Sequence, residues 1–268
     1  MPELIPIDDP SDPRVAAYRD IKERDLVGRQ GLFIAEGETV LRAFVRDAPE
    51  RVLSLLIDGK RADKLGEVFD GLPDGVPVYV VGQAVLDAIA GFHLHRGVLA
   101  VGAKPQPLSA DALLARAGER AIVLVLMGIA NHDNLGGIFR NAAAFGVDGV
   151  ILDADCCDPF YRKAIRVSIG ATLGVPTAWL APGEDVVALL ERHDFQALAL
   201  SPAADLTLAR LDPPARAAVL LGAEGPGLSP AVMARARTVG IPMAGGFDSL
   251  NVATTSGIVL HHLRFAGA

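Results

Sequence analysis

A-I-V-L-V-L-M-G-I-A-N-H-D-N-L-G-G-I-F-R-N-A-A-A-F-G-V-D-G-V-I-L, residues 121–152, is the stretch that decides the fold. Residues 121–127 form an unbroken apolar run of strand length, the pattern of a strand covered on both faces. Residues 134–145 change period: Leu135, Ile138, Ala142 and Phe145 share one side of a 3.6-residue helix. Residues 149–152 return to a strand. Strand, helix and strand in that order make parallel neighbours joined by a crossover. The alternation continues downstream. Helices are expected at 159–169, 184–192 and 229–236, strands at 175–180, 197–200, 217–222 and 238–241, and a last helix beyond 250. The expected class is α/β, a mostly parallel sheet with helices on both faces.

Upstream the alternation repeats on a smaller scale, with strands expected at 32–35, 52–57, 77–81 and 97–101 and helices at 36–45 and 83–90. Residues 12–29 carry Arg14, Arg19, Lys22, Arg24 and Arg29 over Val15, Tyr18 and Ile21, the pattern of an amphipathic surface helix. Asp20, Glu23 and Asp25 interleave with the cations, so composition favours a solvated face over phosphate contact. Lys104-Pro105-Gln106-Pro107 favours extended chain. The chain is therefore divided into a small α/β unit, 1–103, a linker, 104–120, in which 109–117 can cap and form a short helix, and a larger unit, 121–268.

With 268 residues, 51% of them hydrophobic and only 5% aromatic, the chain has the length for a sizeable and mostly aliphatic core. A formal net charge of −7 argues against a protein that coats nucleic acid in bulk, so an RNA role must rest on a local site. The two cysteines, Cys156 and Cys157, are adjacent, which fits neither a disulfide framework nor metal-ligand spacing. No basic-then-apolar leader and no membrane-length apolar segment is read, so a soluble, cytoplasmic protein is expected. The six histidines are scattered without metal-ligand company, and no metal is expected.

Three stretches have the residue types of a ligand site. On the helix at 134–145, Arg140 points away from the apolar stripe among Gly136, Gly137, Ala143 and Ala144, small enough for a backbone, a subunit or a ligand to approach. The second stretch is L-L-G-A-E-G-P-G-L-S, residues 220–229. Gly222, Gly225 and Gly227 permit a tight loop after a buried strand, and Glu224 disfavours a triphosphate there. The third is I-P-M-A-G-G-F-D-S-L-N-V-A-T-T-S-G-I-V-L, residues 241–260, a strand end, a glycine turn and a helix with Ser249 as the expected N-cap and Val252, Ile258, Val259 and Leu263 as its apolar positions. All three fall at carboxyl ends of expected strands, where open α/β sheets bind ligands.

In this order the three stretches resemble the motifs of SpoU-type (TrmH-like) RNA ribose methyltransferases, of the SPOUT superfamily. The resemblance runs from about residue 121 onward, and residues 158–171 are similar to the family's connecting helix. More loosely, G-L-F-I-A-E-G-E-T-V-L and H-L-H-R-G-V-L-A resemble an L30e-like RNA-binding domain that some members carry. The family implies a C-terminal trefoil knot, S-adenosylmethionine as methyl donor, an RNA substrate (rRNA or tRNA) and a homodimer with the active site at its interface. It implies a reaction site of Asn134, Arg140, Glu224, Ser249 and Asn251. Donor contacts are implied at Leu221, Gly222, Glu224, Gly225, Gly227, Ile241, Met243, Ser249, Leu250, Asn251 and Ala253. Candidate RNA contacts are Arg14, Arg19, Lys22, Arg24, Arg96, Arg162, Lys163 and Arg166. Small residues Ala253, Thr254, Ser256 and Gly257 would let the last helix approach a second copy. A departure is A-T-T-S after Val252, where members more often show S-V-A. A non-catalytic RNA-binding or ribosome-assembly factor on the same fold, and an RNA base methyltransferase, are the alternative readings.

Overall fold

A computed structural model describes residues 2–19, 27, 30–245, 247 and 249–266. The chain forms two compact units. The first comprises residues 1–106 and 158–174, the second residues 107–157 and 175–268.

The second unit is built on seven strands: β6 (Leu108–Ser109), β7 (Ala121–Met127), β8 (Gly149–Leu152), β9 (Thr177–Trp179), β10 (Gln196–Leu200), β11 (Arg216–Gly222) and β12 (Arg237–Val239). They lie in the order β12-β10-β11-β7-β8-β9-β6, and every pairing is parallel. The apolar run that opened the sequence reading is the central strand β7, buried along its whole length except at Met127. Alternate residues Val123, Val125, Ala218 and Leu220 pack with Leu113, Leu114, Leu189 and Leu190 from helices Ala110–Ala115 and Val186–Arg192. The intervening Leu124, Leu126, Val219 and Leu221 are equally buried and face the other way, toward helices His132–Ala144 and Val252–Phe265. Burial on both faces is why this sheet reads as continuous hydrophobic runs.

In the first unit, strands β1 (Leu4–Pro6), β2 (Leu32–Glu36), β3 (Val52–Asp58), β4 (Val78–Val81) and β5 (Val98–Ala103) form a mixed sheet in the order β1-β4-β3-β5-β2. β5 runs antiparallel to β2 and β3, while β4 pairs parallel with β1 and β3. Helix Glu38–Asp47 buries Val40, Leu41, Phe44 and Val45.

Four expectations are corrected. Residues 159–169 are not one helix: Arg162–Val167 is followed by a reversal at Ile169 (φ 55°) and Gly170 (φ 84°), then a short helix Ala171–Gly174. A Cβ at Gly170 would lie 2.9 Å from Ala43 Cβ, so the reversal needs glycine for close packing as well as for its dihedrals. Nor does this segment belong to the larger unit. Phe160, Ile165 and Leu173 complete the core around Phe33 and Phe44 in the first unit, and Arg51 Nη2 donates to the Leu173 carbonyl. Residues 107–120, read as linker, belong to the second unit. Lastly, of the helix expected across 12–29, Pro13–Tyr18 is a 3₁₀ turn that buries Val15 and Tyr18. Lys22 and Arg24 lie outside the described residues.

Candidate active site

Adjacent strands β10, β11 and β7 deliver their carboxyl ends to one side of the sheet, and β12 lies beside β10. After β7, Asn131 caps helix His132–Ala144, its Oδ1 accepting from the backbone N–H groups of Asp133 and Asn134. After β11, residues 223–229 double back, with Ala223 and Gly227 bridged antiparallel and Gly227 N–H bonded to the Ala223 carbonyl at 3.0 Å. A Cβ on Gly222 would lie 2.4 Å from the Gly227 carbonyl carbon, so only glycine admits this fold-back. Asn251 then caps helix Val252–Phe265, accepting from Ala253 and Thr254 N–H. The expected cap, Ser249, is two residues too early, because helical geometry begins at Val252.

A cleft of about 760 Å³, within the range of small-ligand sites, lies between these loops. Of the residues expected to contact a donor, Leu221, Gly222, Glu224, Gly225, Gly227, Ile241, Met243, Ser249, Leu250 and Asn251 line it. Ala253 does not: it abuts Gly137, and its carbonyl accepts from Asn141 Nδ2 at 2.7 Å. Leu200, Ser201 and Pro202 at the end of β10, together with Ala223, Val239, Val252 and Thr255, line the cleft without having been expected. For Leu200–Pro202 the signal was present, since they follow a strand carboxyl end just as the motif loops do.

One side chain ties the three stretches together. Asn134, 7% exposed, donates through Nδ2 to Glu224 Oε1, and its Oδ1 accepts from Asn251 Nδ2 at 2.8 Å. The two bonds fix the orientation of the amide, because Glu224 carboxylate can only accept and Asn251 presents a donor. Arg140 lies on the same helix but is exposed and outside the cleft lining, with Ala143 and Ala144 exposed near it. Gly136, expected on the arginine face, is buried.

In the last helix Ser256, Val259, Leu260 and Leu263 are buried, whereas Ile258, expected in the apolar stripe, is 39% exposed. The small residues serve contacts inside the chain. Gly137 faces Ala253, Gly257 faces Asn141, and Asn141 Nδ2 also donates to Ser256 Oγ at 2.9 Å.

The basic candidates fare differently. Arg14 pairs with Asp12 at 2.6 Å, and the hydrogen bonds from Arg14 hold that carboxyl down at about 2. Arg19 donates to the carbonyls of Ser11 and Asp12 and so ties down its own turn. Arg96 and Lys163 are exposed; Arg162 and Arg166 approach the buried Glu36 at 3.9 and 4.0 Å. Cys156 Sγ bonds to the Leu126 carbonyl, and burial pushes its thiol up to about 12. Among the described residues no cluster of three or more His, Cys, Asp or Glu could hold a metal ion, and no helix is long and apolar enough to cross a membrane.

Residues 121–261 match the SpoU rRNA Methylase family. The chain belongs to that family. This SpoU family member is 38% identical, over 97% of its length and 91% of the relative's, to an uncharacterized tRNA/rRNA methyltransferase of Mycobacterium tuberculosis. It is 30% identical to the 23S rRNA (guanosine-2'-O-)-methyltransferase RlmB of Acinetobacter baylyi, over 80% of this chain and 89% of that one. Its fold is that of an AdoMet-bound rRNA methyltransferase from Sinorhizobium meliloti, with a TM-score of 0.79, 24% identity and 97% of each chain covered. The family match contains Asn134, Arg140, Glu224, Ser249 and Asn251, and also residues 158–174, which this SpoU member packs into its first unit.

Proposed function

We propose that the chain transfers a methyl group from S-adenosylmethionine to a ribose 2'-hydroxyl of rRNA or tRNA, as a cytoplasmic homodimer. The observation that carries this reading is the Asn134 bridge, which joins two residues of the cleft lining, Glu224 and Asn251. It rests too on membership of the family and on relatives named as rRNA 2'-O-methyltransferases. A trefoil knot through the loops after β11 and β12 is part of the same reading.

The cleft suits the donor chemically. Leu200, Leu221, Val239, Ile241 and Leu250 offer apolar walls for a nucleoside, and Glu224 offers an anion to a cationic ligand. A Cβ at Gly225 or Gly227 would meet nothing within 4 Å, leaving room beside the loop backbone. Leu221, Gly222, Ile241, Met243 and Leu250 would hold the nucleoside, with Glu224, Ser249 and Asn251 at the polar end. When bound, the donor supplies a methyl group already activated on a sulfonium.

What remains for the protein is to orient the hydroxyl and stabilise it as it loses its proton. A guanidinium stays protonated, so Arg140 acts as a cation beside the developing alkoxide, and the proton leaves to water or a phosphate oxygen. Asn134 holds Glu224 and Asn251 in register. The first unit contributes RNA contacts, with Arg96, Arg162, Lys163 and Arg166 as its candidates.

The test is incubation of the full chain with methyl-labelled donor and total RNA, followed by nucleoside analysis. Label on ribose supports the reading. Label on a base assigns a base methyltransferase, and RNA binding without label assigns a non-catalytic factor.

A further inference from the structure

The first unit carries a second concavity, of about 410 Å³, lined by Glu38, Thr39, Val40, Arg61, His95, Arg96, Arg166 and Ile169. Its three arginines come from three separate segments: the turn after β3, the loop before β5, and helix Arg162–Val167. Arginines normally scatter over a surface or pair with carboxylates. Here Arg61 and Arg96 have no carboxylate within ion-pair distance among the described residues. Arg61 has only a 3.5 Å contact to the His95 carbonyl, and Arg166 reaches Glu36 no closer than 4.0 Å. Arg96 instead lies over Gly37, its Cδ 3.0 Å from where a Cβ would be.

The lining also includes the start of a helix. Residues 38–40 are the first turn of the ten-residue helix Glu38–Asp47, whose cap, Gly37, supplies no side-chain hydrogen bond. The backbone N–H groups of that turn therefore have no intrahelical acceptor. The one lining carboxylate, Glu38, is engaged by Arg42 at 3.0 Å. Glu36 sits behind the lining, 7% exposed, between Arg162 and Arg166.

We propose that this concavity is a phosphate-binding site that grips one backbone phosphodiester of the RNA substrate. Convergent guanidinium groups over free backbone donors match a tetrahedral anion in charge and in donor geometry. Arg166 joins the site because residues 158–174 fold into the first unit, and Arg61 was not legible as a contact from the sequence. The inference rests on RNA being the substrate. It adds where the polyanion is held, and by which groups.

The test uses the full chain as wild type, Arg61→Gln, Arg166→Gln and Thr39→Glu. Thr39 is exposed on the first helical turn, where an acidic residue suits the helix dipole, so Thr39→Glu repels phosphate without weakening the fold. The probes are a labelled stem-loop RNA, inorganic phosphate and S-adenosylmethionine. Each variant is expected to bind RNA roughly tenfold more weakly, the size of one charge-assisted contact. The slope of log affinity against log salt should fall by about 0.7–0.9, the signature of one phosphate lost. Donor affinity should match the wild type in all three, and melting temperature in Arg61→Gln and Thr39→Glu, whereas Arg166→Gln also removes a cation from the buried Glu36 and should melt somewhat lower. RNA affinity and salt slope unchanged in all three variants would overturn the proposal. So would inorganic phosphate binding that the variants abolish while RNA binding is untouched, which assigns the site to a free anion. Absence of any methyl transfer, with the salt slope still reduced, would sink the enzymatic reading and leave this site standing.

Discussion

Arg140 and Asn134 share one helix, yet one is exposed and the other buried in a three-residue bridge. Their loss should therefore differ in kind. Arg140→Ala is expected to lower kcat by roughly 10²–10³, the effect of losing one oxyanion donor, with donor affinity and stability intact. Arg140→Lys should rescue poorly, because a point charge lacks the planar fork. Single-turnover methylation with calorimetry of donor binding checks this, and normal turnover by the alanine variant would make Arg140 a solvated surface residue without a part in the reaction. Cys156 gives a pH prediction. Its thiol keeps its proton to about 12, while an unfolded thiol ionises near 9, so the folded chain holds the extra proton between these values. Stability should fall as pH rises through that window, and Cys156 should resist iodoacetamide at pH 8, where roughly one thiol in ten thousand is ionised. Mass-spectrometric mapping of the alkylated cysteine decides it. Glu224 stood out as a charge inside a glycine-rich loop after a buried strand, whereas Asn251 was named as a site residue only through the family resemblance. Which residue capped the last helix was harder, since serine and asparagine both cap well. Asn251 caps through its oxygen and still has an amide to give Asn134, a double duty a serine hydroxyl does not reproduce.

At the scale of elements, the long strands could be read nearly to the residue because burial on both faces writes an unbroken apolar run. Edge strands β1 and β6 are two or three residues long and carry no such run, and they escaped notice. The break in 159–169 was hidden for another reason: Ile169 takes a left-handed conformation imposed by packing, not by its own preference. Helix-to-helix contact decides the next prediction. A methyl at Gly137 would lie 2.8 Å from Ala253 Cβ, so Gly137→Ala must push helix Val252–Phe265 away from helix His132–Ala144. The expected cost is about 1–3 kcal/mol by overpacking, with weaker donor binding as the Asn134–Asn251 bond lengthens. Urea denaturation and calorimetry read the two effects. Wild-type stability would mean that the helices have slack the close contact does not suggest.

For the whole molecule, Ala253, Ser256 and Gly257 make contacts within the chain while Thr254 stays exposed, so exposed apolar groups on the same helix are the better candidates for a contact with a second copy. Ile258 and Phe265 are 39% and 51% exposed, and His261 meets Phe145 edge-on at 6.0 Å and Phe265 at a tilt at 5.3 Å. Sedimentation equilibrium is expected to give a dimer, and Ile258→Glu with Phe265→Glu a folded monomer; a monomeric active wild type would remove the dimer from the functional reading. A fragment from residue 109 onward should aggregate, because it carries Phe160, Ile165 and Leu173 without the core that covers them. Replacing 158–174 in that fragment by a glycine-serine linker should restore solubility and donor binding. The same interleaving has a consequence for biosynthesis. Residues 1–106 leave the ribosome lacking three of the side chains that close their core, and residues 107–174 take roughly 3–14 s more to translate at ~5–20 residues per second. During that interval Phe33 and Phe44 have an incomplete cover while the central strand of the other unit is already emerging. Nascent chains stalled near residue 140 should be cut readily by protease within 1–106, and chains stalled well beyond 174 should resist. The first part of this protein is made early and finished late, because its core closes only when residues 158–174 arrive.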